Sequence, residues 1–227
     1  MRTDDLVRLL AADARRATPL RTAVPLAAIA SGAAACLAFV AIIGVRPELL
    51  SAMSDPRVAF KFAFAASVAT AAVAYGLRVI RPEDRPSGFV FGVPVLALLL
   101  IGVVVETSVT PIAAWPSAAL GFSPFRCVGL IVATSLLPIA ALLQAMRPGA
   151  PARPGVAGAA AGLGGGAIGA MVFALYCPND SVLFVAIWYV LALGNRLRTR
   201  GGARCKEAGV VAHQMIARPS PRRRSLA

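Results

Sequence analysis

Cys127 and Cys177 are the residues whose chemistry and spacing point to a site. Cys127 opens the fourth of a series of long apolar stretches and Cys177 closes the fifth. If those two stretches form a hairpin, both sulfurs lie at the same level at the same end, although 50 residues separate them in sequence. Such a pair is open to three readings: a disulfide if the helices pack closely, a soft-metal thiolate pair, or two unrelated small packing residues. The first two are reasonable in an oxidising compartment such as the periplasm. Of the other cysteines, Cys36 falls in the middle of the first stretch and reads as packing, and Cys205 lies in a basic tail.

Other chemistry is scarce. His213 is the one histidine, so no histidine-based triad or multi-histidine metal site can be assembled. The apolar stretches hold no pair of buried carboxylates and no regular charged pathway, which an enzyme or ion-coupled carrier would need there. The glycines of 155–176 are not a phosphate loop, because no Lys-Ser/Thr follows and no strand precedes them. The chain is therefore read as a non-enzyme with no cofactor.

The elements that must position the two cysteines are membrane helices. Apolar runs cover roughly 23–45, 58–80, 88–108, 127–146 and 155–176, with a shortened sixth at 182–194. About 20 apolar residues are needed to cross about 30 Å of hydrocarbon, where backbone polar groups must bond within their own segment. Hydrophobic residues make up 58% of the 227 positions and charged residues 15%, against about 25% charged in a soluble domain. The fold class is all-α, a polytopic membrane bundle of six expected helices, the last short or disrupted. Three regions follow: a cytoplasmic segment 1–22, the bundle 23–194, and a basic tail 195–227.

The net charge of +13 is read as topology, not nucleic-acid binding. With the N-terminus inside, ten basic residues fall on the cytoplasmic side before the tail and four (Arg46, Arg57, Lys61 and Arg126) on the other. Attraction to anionic lipid comes with it. The first 22 residues carry eight charges and no apolar core, so no cleavable signal peptide is expected.

Smaller features refine this. Residues 3–17 read as an amphipathic helix, with Asp4 and Asp5 in its first turn and Leu6, Leu9 and Leu10 on one stripe. It serves as a topology anchor or docks a partner through that stripe. Lys61 is expected to snorkel and Glu106 to sit at the interface. The 107–126 connection, with Trp115, reads as an interfacial loop. The glycine pairs 158/162, 162/166 and 165/169 are expected to form one flat face for close helix contact.

Four blocks then carry a family resemblance: TDDLVRLLAAD, KFAFAASVATAAVAYGLRVIRPE, the block opening RCVGL, and GAIGAMVFALYCPNDSVLFVAIWY. Together, over roughly 3–193, they resemble the NrsF-type anti-sigma factors, six-span inner-membrane proteins of Gram-negative bacteria. The resemblance implies that the cytoplasmic face holds an extracytoplasmic-function sigma factor inactive, with no direct contact to nucleic acid. It implies that Cys127 and Cys177 form a sensor pair for heavy metal or oxidant, and that Asp4, Asp5, Leu6, Leu9 and Leu10 contact the sigma factor. After Gly194 the chain departs from the family, turning abruptly into a basic run that ends in RRR. That change reads as a shifted frame near codon 194, an expectation that re-reading the gene decides. The rival class is a small membrane transporter or channel-like protein, supported by the number of spans and the glycine-rich helix.

Overall fold

The computed structural model describes residue 5, residues 19–81, 86–149, 151 and 153–194. Among them no strand occurs, and five helices are long and apolar enough to cross a membrane. These are α1 (Leu20–Ile42), α3 (Pro56–Val79), α4 (Gly88–Val109), α6 (Pro124–Met146) and α7 (Pro154–Ala174). Two short helices, α2 (Leu49–Ala52) and α5 (Trp115–Leu120), lie in connections. A shorter apolar helix, α8 (Val182–Gly194), follows α7. The observed bounds lie within about three residues of the apolar runs, since hydropathy and backbone self-satisfaction are local properties.

Local chemistry sets several starts. Pro56 opens α3 where its missing N–H costs nothing, and the Asp55 carboxylate accepts the Arg57 N–H at 2.8 Å as a cap. Proline occupies the first turn of α5, α6 and α7 in the same way. The expected loop 107–126 is more ordered than predicted. Its first residues extend α4, a 3-10 turn spans Ile112–Ala114, and α5 follows.

The helices divide by what covers them. In α4 only Gly102 and Glu106 are buried, while Phe89, Leu96, Leu100, Ile101 and Val104 stand exposed. A helix that is apolar all round yet bare of protein needs lipid as its solvent. The protein is accordingly a helical membrane bundle.

Helix α7 is the opposite case: 14 of its 21 residues are buried among α1, α3, α6 and α8. Alanine and glycine make this possible, because they let backbones approach closely. An added Cβ at Gly165 would lie 2.6 Å from the Ile139 nitrogen, and one at Gly169 would lie 2.7 Å from the Ser135 Cα. Those two glycines meet α6, as their spacing suggests. The single flat face is not observed, however. Gly164 looks toward Ala72 and Val73 of α3, and Gly166 toward Leu193 of α8. Successive residues are turned by about 100°, so a dense run of glycines serves several neighbours at once.

Helix α8 holds 13 residues, about 20 Å at 1.5 Å per residue, and contains a five-residue π turn at Val185–Tyr189. That described length is less than a full span. Trp188 on this helix donates its indole N–H to the Ala119 carbonyl at 2.9 Å, fastening α8 to α5.

Candidate functional site: paired thiols on an ion-paired loop

Cys127 lies in the first turn of α6, and Cys177 just beyond the end of α7, where its N–H still bonds the Phe173 carbonyl at 3.1 Å. The hairpin of α6 and α7 therefore brings the two thiols to one end of the bundle, hereafter the cysteine end. Both are buried and free, and each lies close enough to influence the ionisation of the other. Asn179 links them: its side-chain amide nitrogen lies 3.9 Å from the Cys127 sulfur, and its backbone carbonyl accepts from the Cys177 thiol at 3.9 Å. The same side chain accepts the Phe122 N–H at 3.3 Å. Gly121 makes room for it. Its φ is +61°, and a Cβ there would sit 2.8 Å from the Asn179 amide and from Phe184.

The Cys177 thiol is drawn down to about 7 from its ordinary value near 9. The hydrogen bond from Cys127 is the main cause; burial opposes it, and the positive charge of Lys61 assists. A thiol held there is available as a thiolate, the form that binds metal or reacts.

An ionic cluster holds the loop that carries Cys177. Lys61 is wholly buried, and its ammonium donates to Asp180 Oδ1 at 2.7 Å and to the Cys177 carbonyl at 3.1 Å. Arg46, past the end of α1, donates to Asp180 Oδ2 at 2.8 Å, and its backbone N–H bonds the Leu175 carbonyl at 3.2 Å. On the far side, Arg57 pairs with the buried Glu106 at 2.9 Å. Ser181, whose hydroxyl also accepts the Leu183 N–H to cap α8, reaches the same carboxylate at 3.4 Å. Residues 175–181 are thus bonded directly to α3, α4, α6 and the end of α1.

Two expectations change here. Lys61 does not snorkel: its ammonium turns inward to Asp180, because an internal carboxylate and carbonyl offer it better-defined partners than the interface. Glu106 is not a surface residue of the interface but a buried partner of Arg57. Among the described residues, each of α3 and α4 thus carries one buried charge at the cysteine end, without a pair of buried carboxylates within the spans. Asp180 and Asn179 were not singled out from sequence, while Arg46 was read only as a basic residue of that side and Tyr189 only as part of a resembling block. The polar run Pro178-Asn179-Asp180-Ser181 between two apolar helices was the available signal, with Lys61 a turn inside α3 as the charge needing a partner.

The proposed sigma-factor contacts stand elsewhere. Asp5 is helical and exposed, whereas Asp4, Leu6, Leu9 and Leu10 lie outside the described residues, as does the tail 195–227. Among the described residues no three His, Cys, Asp or Glu side chains cluster closely enough to hold a metal ion. The cysteine pair supplies two donors.

With this geometry in view, comparison with known proteins is specific. The family model described as negative regulator of sigma F matches residues 10–196. The anti-sigma-F factor NrsF of Caulobacter vibrioides is 34% identical over 201 residues, covering 86% of this chain and 94% of that protein. The probable anti-sigma-F factor NrsF of Azospira oryzae is 33% identical over 198 residues, covering 85% of this chain and 92% of its own. No solved structure matches the chain.

Proposed function

The chain belongs to the family of negative regulators of sigma F, and from that premise we propose that it is a multi-pass inner-membrane anti-sigma factor with a thiol sensor. Its partner is an extracytoplasmic-function sigma factor, held on the cytoplasmic face at rest and kept from RNA polymerase. The N-terminal segment, around Asp4, Asp5, Leu6, Leu9 and Leu10, provides a contact. The excess of basic residues at the opposite end supports an outward-facing cysteine end. The inducer, a soft metal or an oxidant, acts at Cys127 and Cys177.

The observation that carries the sensing half is the loop 175–181. It bears one thiol of a buried pair and is ion-paired to Arg46 at the end of α1. Metal binding or disulfide formation redraws the contact between α6 and this loop, and Arg46 passes the change to α1. Helix α1 runs from beside Arg46 to Leu20, which follows in sequence the segment assigned to the sigma factor. A near-complete switch from bound to released requires about 5.5 kcal/mol of differential binding to the two states. A soft cation on two thiolates is of a strength to provide that.

Pull-down of the tagged full chain from detergent-solubilised bacterial membranes, with and without residues 1–17, tests the reading. Recovery of a sigma factor that depends on those residues is expected. Release of that factor by inducer is expected to vanish in the Cys127→Ser/Cys177→Ser variant, and a variant that still responds normally defeats the sensing half. Failure of the correctly inserted full chain to recover any sigma factor overturns the sequestration half.

A further inference from the structure

We propose that Tyr189 is the third donor of the inducer site, its phenolic oxygen joining the Cys127 and Cys177 sulfurs around a soft divalent cation that takes more than two donors, such as Cd2+. This rests on the sensing reading above and specifies the ligand class of that same site.

The starting point is an orphan. Tyr189 is wholly buried, and its hydroxyl has no hydrogen-bond partner among the described residues. An unsatisfied buried hydroxyl costs about 1–3 kcal/mol, and such groups in a folded protein call for an explanation. Its surroundings are not neutral. Tyr189 shares one core with Cys127 and Cys177 and lies within electrostatic reach of both sulfurs and of Asp180.

Local structure explains how it gets there. Tyr189 ends the π turn Val185–Tyr189, a widened turn of a kind that recurs at functional sites. Its neighbour Trp188 is tied outward to the Ala119 carbonyl. Adjacent helical residues are turned by about 100°, so that tie rotates Tyr189 into the core. Three elements thus converge: α6 brings Cys127, the loop brings Cys177, and α8 brings Tyr189.

The donor chemistry selects the cation. Two thiols that ligate release their protons, and the resulting pair neutralises a divalent charge. Asp180, the nearby carboxylate, is engaged by both Lys61 and Arg46, so it is not free to serve. A cation that wants more than two donors must turn to neutral oxygens, and the Tyr189 hydroxyl is the one left unpaired. The Asn179 carbonyl, 3.9 Å from the Cys177 sulfur, is a further oxygen at the site. An ion content with two thiolates in line, such as Hg2+, has no use for the phenol.

Titration of the detergent-purified full chain with Cd2+, followed by sulfur-to-cadmium charge-transfer absorption, tests the assignment. Tyr189→Phe keeps the ring and removes only the oxygen. It is expected to retain the absorption band while its Cd2+ affinity falls by about tenfold or more, with Hg2+ binding unchanged. In the wild-type chain, Cd2+ must also perturb the near-ultraviolet absorption of a tyrosine, and that perturbation must persist in Tyr176→Phe. Equal Cd2+ affinity in wild type and Tyr189→Phe overturns the proposal, the hydroxyl then being satisfied by water only. So does the absence of a tyrosine perturbation in the wild type, a result that does not depend on the variant folding. A wild-type chain with no charge-transfer band, or with one that survives Cys177→Ser, overturns the proposal together with the metal arm of the sensing reading, while the oxidant arm stands or falls by the release experiment on the double cysteine variant.

Discussion

Among the described residues, the two ends of the bundle show different contacts. At the cysteine end, three ion pairs join residues far apart in sequence: Arg46 with Asp180, Lys61 with Asp180, and Arg57 with Glu106. At the opposite end, Val24, Ile80, Leu142, Met146 and Ala161 form a purely apolar cluster. There Arg78 lies over the Phe91 ring at 5.7 Å. An apolar groove of 420 Å3 borders the end of α8, lined in part by Tyr75, Phe91, Leu163 and Leu193. Apolar packing in lipid is non-directional and has several near-equal solutions, whereas a buried ion pair has one geometry. The ion pairs of one end therefore fix helix register, while the apolar cluster of the other leaves room to adjust. That division suits a bundle in which a change is imposed at the cysteine end and read at the other.

The largest test of this contrast is Asp180→Ala. It leaves the buried Lys61 ammonium without its carboxylate, and breaking a buried pair on one side costs about 3–5 kcal/mol. A drop of that order in unfolding stability in micelles is expected, with partial recovery when Lys61→Met is added to the same chain. A loss below about 1 kcal/mol, the range of exposed pairs, removes the distinction between the ends.

Next in size is the effect of Cys127→Ala on its partner thiol. In the parent chain, site-resolved alkylation of Cys177 should rise with pH through about 7, since only the thiolate reacts. Without the Cys127 hydrogen bond, the midpoint should move upward toward the ordinary thiol value. An unmoved midpoint shows that the pair is adjacent without being coupled.

The smallest effect belongs to the opposite end. Arg78→Leu removes an exposed cation–π contact with Phe91, worth about 0.5–1 kcal/mol, and should leave unfolding stability nearly unchanged. A loss there as large as that of Asp180→Ala reverses the comparison.

The boundaries of the spanning helices, and the hairpin that brings Cys127 and Cys177 together, were legible in the sequence. Each depends on hydropathy over about 20 consecutive residues and on the direction in which a chain leaves and re-enters the membrane. The sixth apolar run, 182–194, was legible for the same reason. Which charges are buried was not. Lys61 and Asp180 are 119 residues apart, and Arg57 and Glu106 are 49 apart, so no local window contains both members of either pair. Hydropathy alone gives α4 and α7 the same class, yet one faces lipid and the other fills the centre, because large aliphatic side chains suit lipid and glycine suits backbone contact. Tyr189 illustrates the limit most directly. Its place at the end of the last resembling block was visible, but only the packing of the helices decides that its hydroxyl is buried, without a partner among the described residues, in the core that also holds both thiols.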